Sequence, residues 1–85
     1  MSMNNQVIHA EWIGKHIRVI NAANPIITGL DGIIVDETRN TIVVETAKGV
    51  KRVQKHGSLF AIDGHEVTGD DILVAPEERI RIKVN

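Results

Sequence analysis

Four short runs of branched apolar residues, "HIRVI", "GIIVD", "TIVVET" and "VKRVQ", follow one another through the middle of the chain, separated by segments that carry turn-forming residues. Side chains branched at Cβ are stiff at χ1, pack well on a pleated surface and lose entropy in a helix, so this pattern restricts the chain to strands. "HIRVI" sets Ile17 and Val19 against Arg18 and Ile20, while "VKRVQ" places Val50 with Arg52 on one face and Lys51 with Val53 on the other. The punctuation is equally local: Asn24-Pro25, "ETRN", "AKG", "KHG" and, strongest of all, Asp63-Gly64, a pair that tolerates the positive φ of a type I′ hairpin turn. Five or six strands at roughly 8–12-residue spacing predict an all-β protein, a small, strongly bent antiparallel sheet or closed barrel. Closure would protect strand edges that are otherwise prone to aggregation.

Helical signal is confined to the ends. Asn5 is placed to cap a helix through "QVIHAEWI" that stops at Gly14, with Ile8 and Trp12 on one face. At the other end Pro76 suits a first helical position and Glu77 and Glu78 suit the positive end of its dipole, yet "RIRIKV" alternates with period two, so a strand through Ile80, Ile82 and Val84 competes. At 85 residues the chain is read as a single domain, with its barrel core at about 15–75 and termini 1–14 and 76–85 as short helix or flexible.

The apolar runs are too short to cross a bilayer as helices, and zero cysteines exclude a disulfide framework or a thiolate metal site. The opening "MSMNNQVIHAEWIG" does not read as a signal peptide, so the cytoplasm is the expected location. Lys+Arg 10 against Asp+Glu 11 gives a net charge of −1, so any polyanion must be held by a local patch. Trp12 and Phe60 are the only large rings, too few for a platform of stacked bases, which directs any RNA contact toward phosphates and shape.

Enzymatic chemistry finds little support. Asp36-Glu37 and Asp70-Asp71 are sequence neighbours, which point to opposite faces of a strand, and they read as turn and cap residues. His9, His16, His56 and His65 are scattered without metal-ligand spacing, and no Ser or Thr stands in a nucleophile elbow. "GLDG", with Gly29 and Gly32, matches the backbone-clamping loop of KH domains, but that loop joins two helices and here a strand follows; glycines serving a sharp turn are the better reading. The basic residues are more informative: Lys48, Lys51, Arg52, Lys55 and His56 fall within nine residues, and Arg39 lies in the preceding hairpin loop.

Asn24-Pro25 followed by Gly29 and Gly32, then "VDETRNT" at residues 35–41, the basic segment, and "GSLF" at residues 57–60, resemble the archaeal ribonuclease P protein component 1 family. "HAEWIG" and "PEERI" are similar to that family's terminal segments, so the resemblance covers about residues 9 to 80. It implies an Sm-like barrel of about six strands with short helical or flexible termini. It also implies a non-catalytic, RNA-binding subunit of the ribonucleoprotein that removes the 5′ leader from precursor tRNA. In that assembly the RNA and its magnesium ions carry the hydrolysis, the protein itself holding no cofactor, and a small zinc-binding subunit is its protein partner. On this resemblance Arg39, Lys48, Lys51, Arg52 and Lys55, with Lys15 and Arg18, are the expected phosphate contacts. Asp36, Glu37 and Asn40 are expected to shape a turn, and Ile8 and Trp12 either dock the partner or close the barrel end. A family that is generally basic contrasts with the net charge of −1, so either the patch is compact and sufficient or affinity depends more on the partner. A protein–protein adaptor on a small barrel, without RNA binding, is the alternative.

Overall fold

The computed structural model describes residues 11–80. Its strands are β1 His16–Asn21, β2 Asp31–Glu37, β3 Thr41–Thr46, β4 Gly49–Gln54, β5 Leu59–Ile62 and β6 His65–Thr68, with 3-10 turns at Pro25–Ile27 and Gly69–Ile72 and a short helix, α1, at Pro76–Ile80. They form one antiparallel sheet in the order β4-β3-β2-β1-β5-β6. The ladder is open: β4 and β6 are its two edges, so the expected full closure is not made.

The sheet is nevertheless strongly curled, for a reason of chain length. In a flat sheet β4 and β5 would stand four strand spacings apart, about 19 Å at ~4.8 Å each. Residues 55–58 alone connect them, and that segment is itself a turn, with Ser58 N–H donating to Lys55 O at 3.2 Å. A folded turn cannot bridge such a gap, so the sheet must bring its ends together. Bulges supply the bending: the β1–β5 register shifts between Val19 and Asn21, and the β2–β3 register between Ile34 and Asp36.

Inside the curl lie Ile17, Val19, Ile34, Ile42, Val44, Val53, Phe60, Ile62 and Val67 from the strands, joined by Trp12 and Ile72. Each contributes roughly 1.5–3 kcal/mol through burial of its side chain, which is how a chain this small is stabilised without disulfides. Two glycines permit close approach of backbone. A Cβ on Gly32 would stand 2.2 Å from Glu45 O in the neighbouring strand, and one on Gly69 would stand 1.7 Å from Lys55 O. The hairpin read from Asp63-Gly64 is present, with φ of 53° and 84° joining β5 to β6.

The ends divide. Pro76 opens α1 with Glu77 and Glu78 in its first turn, so helix prevails over strand up to Ile80; the competing strand positions Ile82 and Val84 lie outside the described residues. Most of the amino-terminal helix expected from Asn5, including Ile8, also lies outside them; its expected last residues, Glu11 to Ile13, are not helical but form a loop with Gly14, whose N–H donates to Ile34 O at 2.8 Å.

Candidate nucleic-acid interface

Residues grouped by sequence do not all share a surface. In the β3–β4 hairpin Lys51 pairs with Val44 and Arg52 with Val43. Partners across an antiparallel pair share a face, so Lys51 lies on the side of the buried Val44 and Arg52 on the outer side. Lys51 nevertheless stays exposed, because β4 is an edge strand and its inward side there opens into a groove. Lys48 occupies the turn between the strands. Its N–H donates to Thr46 Oγ1 at 3.2 Å, and the same hydroxyl donates to Gly49 O at 2.8 Å, which fixes the turn. Lys48, Lys51 and Arg52 enter no ion pair among the described residues, so one hairpin presents three unneutralised cations around an edge.

The other expected contacts fare differently. Arg18 is exposed on the outer face of β1, between Asp31 of β2 and Ala61 of β5. Lys15 stands 3.8 Å from Asp63 across the start of the sheet. Arg39 sits at the tip of the β2–β3 loop, where its guanidinium donates to Glu78 of α1 at 2.6 Å; both side chains are about half exposed, so this cation is accessible but already partnered.

Lys55 requires a correction. Its side chain is fully buried, and Nζ donates to Glu37 Oε2 at 2.9 Å and to Val74 O at 3.0 Å. An ammonium so enclosed cannot reach a phosphate, and its work is to tie the end of β2 to the segment leading into α1. Glu37 is corrected with it: rather than shaping the turn, it is buried as the counter-ion. The β2 bulge is the cause. Without it Asp36 would follow Ile34 into the interior; with it Asp36 pairs with Val43 on the outer side, and Glu37 pairs with Ile42 on the inner one. Asp36 does serve the local backbone, its Oδ1 accepting from Glu37 N–H at 2.8 Å. Asn40 contributes its carbonyl, which accepts from Lys55 N–H at 2.8 Å, while the side-chain bonding of the turn comes from Thr38 and Thr41, whose hydroxyls lie 2.6 Å apart.

Trp12 is 1% exposed and belongs to the core, so in this conformation its ring closes the sheet rather than offering a docking anchor. His56 Nδ1 contacts Asp70 at 2.7 Å and His16 Nε2 contacts Asp31 at 2.6 Å; both are surface pairs. Among the described residues no group of three His, Asp or Glu side chains is poised to hold a metal ion.

The groove beside Lys51 was not foreseen from sequence. It has a volume of about 400 Å³, is open to solvent, and runs between the end of the β1–β2 connection with the first residue of β2, residues 26–31, and the β3–β4 turn with Lys48 and, on β4, Lys51. Its walls are distant in sequence, and only the sheet order brings them together.

Fold and surface together define a small antiparallel β-domain with a basic hairpin at one edge. Comparisons with known proteins place that class. A family model for ribonuclease P/MRP, subunit p29, matches residues 5–82. The chain is 40% identical over 82 residues to ribonuclease P protein component 1 of Methanosphaera stadtmanae, covering 91% of this chain and 88% of that one. Its counterpart from Archaeoglobus fulgidus is 38% identical over 80 residues, covering 89% and 78%. Among solved structures, Mth11, described as a homologue of human RNase P protein Rpp29, matches with a TM-score of 0.62 at 35% identity, covering 84% of this chain and 99% of that one. The chain belongs to the ribonuclease P/MRP subunit p29 family.

Proposed function

We propose that this chain is a non-catalytic protein subunit of ribonuclease P that binds the RNA of that enzyme and supports it in removing 5′ leaders from precursor tRNA. The observation that carries the reading is the β3–β4 hairpin, whose Lys48, Lys51 and Arg52 are exposed and in no ion pair among the described residues. Ammonium and guanidinium groups held on a rigid hairpin neutralise phosphates and release condensed counterions, and the gain is largest where no internal carboxylate has to be displaced. Arg18 and Arg39 extend the surface on either side, Arg39 by exchanging its carboxylate partner for a phosphate.

The protein supplies position and charge, and the RNA with its magnesium ions supplies hydrolysis. A small zinc-binding subunit is the protein partner in this scheme, and the strongly curled sheet is of the Sm-like type. The adaptor reading has an observation of its own: outward-facing Ile33 and Val50, 40% and 59% exposed, lie in one cross-strand row on either side of Glu45. That row also suits the partner subunit, so it does not displace the RNA reading.

The test is binding of the purified protein, with and without the zinc-binding subunit, to the ribonuclease P RNA of the same organism. Lys51→Glu with Arg52→Glu is expected to abolish binding while circular dichroism stays that of the folded protein. Undiminished binding by that folded double variant would remove the hairpin from the interface.

A further inference from the structure

We infer that the groove between the β1–β2 connection and the β3–β4 turn seats a single unpaired nucleotide of the bound RNA, with its base against Ile26 and Leu30 and its phosphates on Lys48 and Lys51. This rests on the RNA-binding reading and adds the element of RNA that is recognised.

Ile26 is 88% exposed, the most exposed large apolar side chain among the described residues, and it is held out by a rigid device. Asn24 Oδ1 accepts from Ile26 N–H at 3.1 Å, Pro25 fixes the first position of the 3-10 turn, and Thr28 N–H closes it on Pro25 O at 3.2 Å. A single exposed isoleucine is ordinary on a protein surface. This one stands at the rim of a groove that Leu30 also lines and that two lysines border, neither of them in an ion pair among the described residues. Apolar side chains, isoleucine among them, are inserted by nucleic-acid-binding proteins against unstacked bases.

The two walls together select the ligand. Lys48 and Lys51 make the hairpin wall cationic, while Ile26 and Leu30 make the facing wall apolar. Asp31 borders the groove as well, but its carboxylate is engaged by His16 at 2.6 Å on the outer face. A continuous sugar–phosphate backbone laid along the groove would gain nothing from the apolar wall. A nucleotide turned out of a helix uses both walls, its phosphates going to the lysines and the face of its base to Ile26 and Leu30. Paired RNA keeps its bases stacked, whereas loops and bulges expose them, and protein recognition of RNA sequence concentrates there.

Two RNA hairpins of the same stem, one perfectly paired and one with a single bulged guanosine, test this with the full chain by fluorescence anisotropy. The wild type is expected to prefer the bulged RNA. Ile26→Ala should weaken binding to it by about five-fold, as apolar cover of the base is lost, and leave both the paired RNA and the salt dependence unchanged. Lys48→Gln with Lys51→Gln should weaken both RNAs. Because Ile26 is so exposed, its truncation leaves the core intact. Equal affinity of the wild type for the two RNAs, or an equal effect of Ile26→Ala on both, would overturn the site while leaving the RNA reading standing. Binding to neither RNA would likewise overturn the site, while the RNA reading would still be decided by binding to the ribonuclease P RNA itself.

Discussion

Truncating Lys55 separates a structural lysine from an RNA-binding one. In Lys55→Met the apolar stem is retained and the ammonium is lost, so Glu37, whose side chain is 2% exposed, becomes a buried carboxylate without this counter-ion. Removing one member of a buried ion pair costs about 3–5 kcal/mol. Val74 O also loses its donor at 3.0 Å. Against a total stability of about 5–15 kcal/mol for a domain of this kind, that is a large fraction. With each kcal/mol worth about 4–8 °C at this size, the midpoint should fall by ~12 °C or more. Urea and thermal unfolding of Lys55→Met, Glu37→Leu and the double variant measure the effect. The double variant, with two apolar side chains in place of two charges, should recover most of the loss, since a buried pair is often replaceable by packed apolar groups. A Lys55→Met protein of unchanged stability whose RNA affinity and salt slope both drop would refute this account and restore Lys55 to the interface.

Other consequences follow from packing and from the surface pair. Gly32→Ala and Gly69→Ala force a Cβ against backbone carbonyls, at 2.2 Å from Glu45 O and 1.7 Å from Lys55 O, and each should cost at least about 2 kcal/mol in urea unfolding. Trp12→Ala should lose about 3–5 kcal/mol as a core truncation, and a stable variant that had merely lost its protein partner would show the ring to be a docking anchor instead. Glu78→Gln frees Arg39 and should raise RNA affinity by up to about five-fold, the range of an exposed ion pair. Glu77→Gln is the control for charge alone, and an equal gain from it would show that the Arg39 contact is incidental.

How much of this was legible in the sequence depends on the range of the interactions. The β5–β6 turn was readable because Asp63-Gly64 is a local conformational preference, and the faces of β4 were readable because alternation needs no knowledge of a partner. Burial of Lys55 had a signal that the grouping of basic residues obscured: it stands two residues after buried Val53, so a continued period of two points it inward. Its partner had none, since Glu37 enters the core only because of a bulge whose place is set by the neighbouring strand. The open ladder was likewise undetermined, because strand runs specify pairing faces and not whether the first and last edges join. The groove depends on the sheet order, which sets residues 26–31 beside the β3–β4 turn.

The central claim, that one hairpin edge holds RNA through its exposed cations, is tested most directly by the slope of log K against log salt. It should be measured for the wild-type protein on its ribonuclease P RNA and for Lys48→Gln/Lys51→Gln/Arg52→Gln. Each phosphate contact contributes about 0.7–0.9 to the magnitude of that slope, so loss of three should flatten it by roughly 2–3. An unchanged slope in a folded triple variant would mean that the RNA, if bound at all, is held elsewhere on the molecule.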